Sequence, residues 1–194
     1  MRRYLYVPGQ RPLVIDDVAI GEPDGWLWLP PGGAGLRAVR PAMRPDLAGV
    51  CASAAESAPE LAALAAALAE AEDACGMPVG RVKVMPVVET AAGVLAAAEL
   101  ARAPRVVRLL LGEAGLRAQL RLSPGPDERE LLWLRSMVVA ASAAAGIAAP
   151  VADGCPDADR FEASGAALAR LGFAGRLCAG AGELERTEGI FAAG

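Results

Sequence analysis

Residues 81–112 read RVKVMPVVETAAGVLAAAELARAPRVVRLLLG. An apolar run over 81–90 carries one carboxylate near its end, Glu89, and hands over at Thr90 to an Ala-, Leu- and Glu-rich segment that runs to residue 103. A second apolar run, 105–112, follows and ends in Gly. Ala, Leu and Glu are strong helix formers, whereas short apolar runs bounded by Gly, Pro or Asp read as buried strands. The stretch is therefore a strand–helix–strand unit. Strands that are apolar on both faces belong to a parallel sheet covered by helices.

The same alternation extends in both directions. Candidate strands fall at 4–9, 25–32, 35–41, 48–53, 81–90, 105–112, 148–154 and 174–180, and helical composition at 57–75, 90–103, 127–146 and 157–171. Strands of this kind and number predict a closed (β/α)8 TIM-type barrel, although 194 residues fall short of the roughly 250 typical of that fold. The deficit lies between the second and fourth strands, where the links PGGA and AMRPDLA are too short for the crossover of about a dozen residues that parallel strands need. The expectation is one shortened barrel over residues 1–194, with helices missing or reduced around strands 2–4 and no C-terminal lid domain. An open doubly wound sheet is the alternative, since it tolerates missing helices better. A wall without its helix would expose apolar strand faces beside Trp26 and Trp28, a surface suited to association.

Composition narrows the function classes. Hydrophobic residues make up 54% of the chain, enough for a sizeable core in one domain. The net charge is −4 and basic residues occur singly, which leaves no electrostatic footprint for nucleic acid or an anionic membrane. No window approaches the roughly 18 apolar residues of a membrane span, and the apolar part of the opening MRRYLYVPGQRP is too short for a signal-peptide core. Cys51, Cys75, Cys155 and Cys178 lie far apart with no C-x-x-C pair, so zinc-ribbon and thioredoxin chemistry lack their spacing. Buried free thiols in a cytoplasmic protein are the expectation.

In parallel α/β folds the chemistry gathers at the carboxyl ends of the strands, and Glu89 sits at such an end. A carboxylate there is a hard oxygen ligand suited to Mg²⁺; equally, it can serve as an acid favoured by the dipole of the helix that starts beside it. The residues alone leave both readings open. PGGAG at 31–35 and GAG at 180–182 complete no G-x-G-x-x-G or Walker pattern. The first reads as a tight turn, and the second is a glycine-rich loop after the last strand, where barrels often bind phosphate and a weak anion site is the alternative. Trp26, Trp28 and Trp133 read as core or interface. Ser136 and the other hydroxyls lack a His partner, because the chain contains no His, which removes a Ser-His-Asp triad.

Several blocks, in order, carry a resemblance: RRYLYVPGQRP, VMPVVETAAGVLAAAELA, RVVRLLLGEAGLRAQL, LLWLRSMVVAASAAAGIAAPVADG and LARLGFAGRLCAGAGELE. The chain resembles the HpcH/HpaI aldolase and citrate lyase beta-subunit family over nearly its whole length, most closely from residue 81 onward. The resemblance implies a (β/α)8 barrel that binds Mg²⁺ and makes or breaks a carbon–carbon bond next to a carboxylate or a coenzyme A thioester. It implies a small oxoacid or acyl-CoA as ligand and a homo-oligomer or a subunit of a larger complex as the working form.

Residue by residue, the family pattern is partly kept. Glu89 matches the first metal-binding carboxylate, in the ETAAG block. The second ligand is an Asp, where this chain reads GEAGL and places Gly115; Glu113, two residues earlier, is the candidate substitute. The strand-three Arg that binds a substrate carboxylate corresponds to Arg37 or Arg40. Ala54 stands near the place of a family Lys, LWLPPG replaces an acidic strand end, and LCAGAGE replaces a Cys-Ile-His-Pro run. The expected site is a degraded one that holds Mg²⁺ weakly or has lost it. A non-catalytic relative acting as a subunit or binding module is the alternative.

Overall fold

The computed structural model describes residues 3–5, 13–16, 25–155 and 157–192. Eight strands close a barrel in sequence order: β1 (Arg3–Leu5), β2 (Leu13–Asp16), β3 (Gly25–Leu29), β4 (Leu47–Ala52), β5 (Lys83–Val88), β6 (Leu110–Leu111), β7 (Val151–Ala152) and β8 (Gly175–Cys178). Strands β2 to β8 are mutually parallel. β1 closes the ring antiparallel to both β2 and β8. Residues 6–12 separate β1 from β2, and antiparallel strands can be joined by a connection this short. The strand LVID over 13–16 was not among the expected strands, and the end of the expected run 4–9 lies outside the described residues.

The largest correction concerns the expected gap. Residues 35–41 are not a strand: they lie in α1 (Gly32–Ala42), a helix of 11 residues that links β3 to β4. GLRAVRP reads as a short apolar run bounded by Gly and Pro, yet the residues α1 buries are Gly35 and Val39, an i, i+4 pair on one helical face. Gly35 is needed there, because a Cβ on it would sit 2.4 Å from the Pro30 carbonyl oxygen. PGGAG is accordingly the start of a helix rather than a tight turn, with Pro31 at its N-cap. The wall beside Trp26 and Trp28 is therefore covered, and the argument for association through that face falls.

The crossovers after β4 carry α2 (Ala58–Ala74), α3 (Ala91–Leu95) with α4 (Ala97–Leu100), α5 (Glu113–Leu120) with α6 (Arg129–Ala145), and α7 (Phe161–Leu171), while α8 (Ala181–Phe191) follows β8. Local signals set several of their ends. Ser57 accepts the Glu60 N–H before α2, and Thr90 accepts the Gly93 N–H before α3, each satisfying a donor the helix leaves open. Gly146 and Gly172 end α6 and α7 at φ 69° and 99°, a left-handed conformation that glycine adopts without Cβ strain. No described helix is long and apolar enough to cross a membrane.

Two apolar layers result. Leu5, Ile15, Trp26, Met85, Val151 and Leu177 fill the barrel interior, while Val50, Val84, Val88 and Leu111 face outward onto helices. Trp26 fits inside because β4 carries Gly49, whose added Cβ would lie 2.6 Å from the indole ring. At the amino-terminal end of the barrel, Glu72 of α2 is fully buried. It accepts the N–H groups of Gly80 and Val82 at 2.8 and 2.6 Å and both terminal nitrogens of Arg105 at 3.0 and 2.8 Å. Burial raises its pKa, but Arg105 and the two amides outweigh burial and hold the carboxyl below the usual glutamate value.

Candidate functional site

Register places the acids. Val87, Leu110 and Val151 pair side by side on β5, β6 and β7 and point into the barrel. Side chains alternate faces along a strand, so the next inward layer toward the carboxyl end consists of Glu89, Gly112 and Asp153. With no side chain on Gly112 between the two acids, the layer opens into a cavity of ≈ 470 Å³. Trp28, Leu110, Leu177, Cys155 and Glu183 are among the other residues on its wall. Among the described residues no Lys or Arg side chain lines it.

Glu89 is half-buried, and its Oε1 accepts the N–H of Ala54 at 2.8 Å. Ala54 adopts φ 47°, a left-handed conformation unusual for a residue with a Cβ. The carboxylate thus ties the end of β5 to the loop after β4. From the other side, Gly112 and Gly115 press on Glu89. A Cβ on Gly112 would lie 2.6 Å from Glu89 Cβ, and one on Gly115 would lie 2.8 Å from its carbonyl oxygen and 3.0 Å from its Cβ.

Asp153 stands immediately after β7, with Oδ2 accepting the N–H of Ala114 in the first turn of α5 at 3.0 Å. Its carboxyl is pushed up to about 7, chiefly by burial; the Glu113 charge adds to the rise, while backbone N–H groups of Ala114 and Glu113 and the Arg176 guanidinium oppose it. This residue was missed in the sequence. The signal was present, because V-A-D at 151–153 repeats the in–out–in alternation of V-V-E at 87–89.

A sequence model described as HpcH/HpaI aldolase/citrate lyase matches residues 33–181. The chain belongs to that family. It is 31% identical over 126 residues to citrate lyase subunit beta of Leuconostoc mesenteroides subsp. cremoris, covering 63% of this chain and 42% of that protein. The chain therefore spans less than half the length of this curated relative. Among solved structures, a citrate lyase from Burkholderia xenovorans LB400 superposes with a TM-score of 0.76 at 18% identity, covering 86% of this chain and 57% of the other. Protein CitE from Mycobacterium tuberculosis, in complex with magnesium, acetoacetate and coenzyme A, gives 0.68 at 22% identity, covering 86% and 60%. At these identities the structural likeness is one of fold.

Against the pattern of the HpcH/HpaI family, only part of the expected site assembles. Glu89 reaches the mouth, as its block predicts. Glu113 does not substitute for the missing acid: its carboxylate takes Arg135 Nε at 2.6 Å and Nη2 at 3.0 Å, and Arg135 also pairs with Glu128 at 2.8 Å. Arg135 is 2% exposed and Glu113 8%, so this is a buried ion triad behind the wall. Arg37 and Arg40 lie on α1 with exposed side chains, not at the end of a strand. At the second glycine loop, Gly180 precedes α8, and Glu183 Oε2 accepts the Ala179 N–H at 2.7 Å, placing the protein's own carboxylate where an anion would sit. Among the described residues no group of three His, Cys, Asp or Glu side chains is disposed to hold a metal ion. Trp26 is core, Trp28 lines the cavity, and Trp133 is 55% exposed on α6.

Proposed function

We propose that this family member is a citrate lyase beta-like barrel whose carbon–carbon lyase site is partly degraded. The cavity would receive a small oxoacid or an acyl thioester with little or no turnover. The observation that carries this reading is the closure of residue 115 onto Glu89. Mg²⁺ prefers an octahedron with one or two carboxylates, and here the second position offers no side-chain oxygen, while the Glu89 carbonyl oxygen and Cβ occupy the space a side chain there would need. Glu89 also shares one oxygen with the Ala54 amide. The residues present do not fit the two-carboxylate site, so magnesium is held weakly or not at all.

The second reading, a non-catalytic binding module within a homo-oligomer or larger complex, is favoured by the cavity wall, whose described residues offer no basic side chain to a substrate carboxylate. Four free thiols suit a cytoplasmic setting. The test is to incubate the protein with Mg²⁺ and 3-hydroxyacyl-CoA or oxoacid substrates and to follow cleavage products by mass spectrometry, with light scattering for the assembly. The expected outcome is acetoacetate binding without turnover. Turnover near the ordinary enzymatic range of about 1 s⁻¹ or above, abolished in Glu89→Gln, would refute the degraded site.

A further inference from the structure

The proposed function leaves unexplained a titratable acid placed in the same inward layer as Glu89. We propose that Asp153 sets the charge of the cavity and so selects its ligands: in the acid form it admits a small carboxylate, and in the ionised form it turns one away. The inference rests on the reading that the cavity receives small oxoacids.

Geometry carries it. Asp153 and Glu89 flank Gly112 across two strand spacings, about 10 Å along the sheet, and both line the cavity. Among the described residues no basic side chain shares that wall, so the described charges that an entering carboxylate meets there are those of Glu89 and Glu183, and Asp153 decides whether a third joins them. The groups around Asp153 are few. From α5 come the Glu113 carboxylate, already held by Arg135, and the Ala114 amide. From β8 comes Arg176, 2% exposed, which donates to the Phe161 carbonyl and to Ser164 Oγ on α7. Glu89, Glu183 and the Cys155 and Cys178 thiols complete the wall. A protonated Asp153 offers the cavity an O–H donor, and the ionised form offers only acceptors. With its carboxyl raised to about 7, the change falls within the physiological range.

Cys155 on the cavity wall and the exposed Cys75 outside it provide a direct assay. Both are alkylated with iodoacetate, a small carboxylate, or with neutral iodoacetamide, and rates are read by peptide mass spectrometry from pH 6 to 8.5. The ratio of the two reagents at one thiol cancels its thiolate fraction, and Cys75 supplies the bulk-solvent ratio. The expected result is that the relative iodoacetate rate at Cys155 falls at least about threefold as pH rises through 7, as a unit charge at this range predicts after screening. In Asp153→Asn it should stay flat. Identical profiles in the two proteins, or a rise with pH, would overturn the proposal. Acetoacetate that binds neither protein at any pH, with the Cys155 ratio still switching, would refute the oxoacid reading while sustaining the role of Asp153.

Discussion

Replacing Gly115 by Asp restores the missing family carboxylate in sequence, yet it should fail to restore a metal site. In the folded chain a Cβ at this position would stand 2.8 Å from the Glu89 carbonyl oxygen, 3.0 Å from its Cβ and 3.5 Å from its Cγ. The nearest obstacle is backbone at a strand end, which cannot rotate away as a flexible side chain does. Overpacking of this kind costs about 1–3 kcal/mol, and replacing a helical Gly returns up to about 1 kcal/mol of backbone entropy. Gly115→Ala, which carries the clash without the charge, should therefore lose about 1–2 kcal/mol, or roughly 2–8 °C in melting temperature for a domain of this size. Gly115→Asp should lose at least as much, because its carboxylate adds a like charge beside Glu89. Urea titration by circular dichroism measures both, and calorimetry with Mg²⁺ should find neither variant binding appreciably tighter than wild type. Low-micromolar Mg²⁺ affinity in Gly115→Asp, with stability recovered on saturation as linkage requires, would refute the reasoning and show that α5 moves aside at little cost.

Two further outcomes are expected. Glu72→Ala removes the acceptor of Gly80, Val82 and Arg105 from a fully buried position and should cost about 3–5 kcal/mol in urea melts. Because the Glu72 carboxyl is held below its usual value in the folded state, its contribution is present above the unfolded value near 4.5 and is lost as pH falls through the lower folded one. That acid-side slope should vanish in the variant. Glu113→Ala should destabilise by about 1–3 kcal/mol by leaving the buried Arg135 with Glu128 as its remaining acid partner in the triad, while leaving divalent-ion binding unchanged, and a calorimetric loss of binding would instead identify Glu113 as a ligand.

Much of the barrel is legible in local sequence, because its evidence is local. The runs around β4, β5 and β8 and the helices α2, α6 and α7 are set by apolar continuity, Ala-Leu-Glu composition and capping residues that lie within a few positions of each end. The link between β3 and β4 departs from its local reading for a physical reason: a short apolar run between Gly and Pro suits a strand or a helix, and only packing shows Gly35 and Val39 buried together on a helix beneath Pro30. Assigning that segment to a strand consumed the residues of α1 and produced a gap that does not exist. The direction of β1 likewise depends on its two partners and not on its own composition.

The site divides along the same line. Glu89 announces itself at the end of a recognisable strand, so its position follows from the sequence. Which acids share its layer depends on the register of β5, β6 and β7, a long-range property, and that register brings in Asp153. Glu113 looks available in the sequence because its partner Arg135 lies 22 residues away; the fold closes that distance and removes it from the mouth. The sequence determined that a carboxylate stands at the end of β5 and that its family partner is a glycine. Only the tertiary structure decided that Glu89 itself occupies the space a side chain on that glycine would need, since steric room is a property of elements in contact and not of any segment alone.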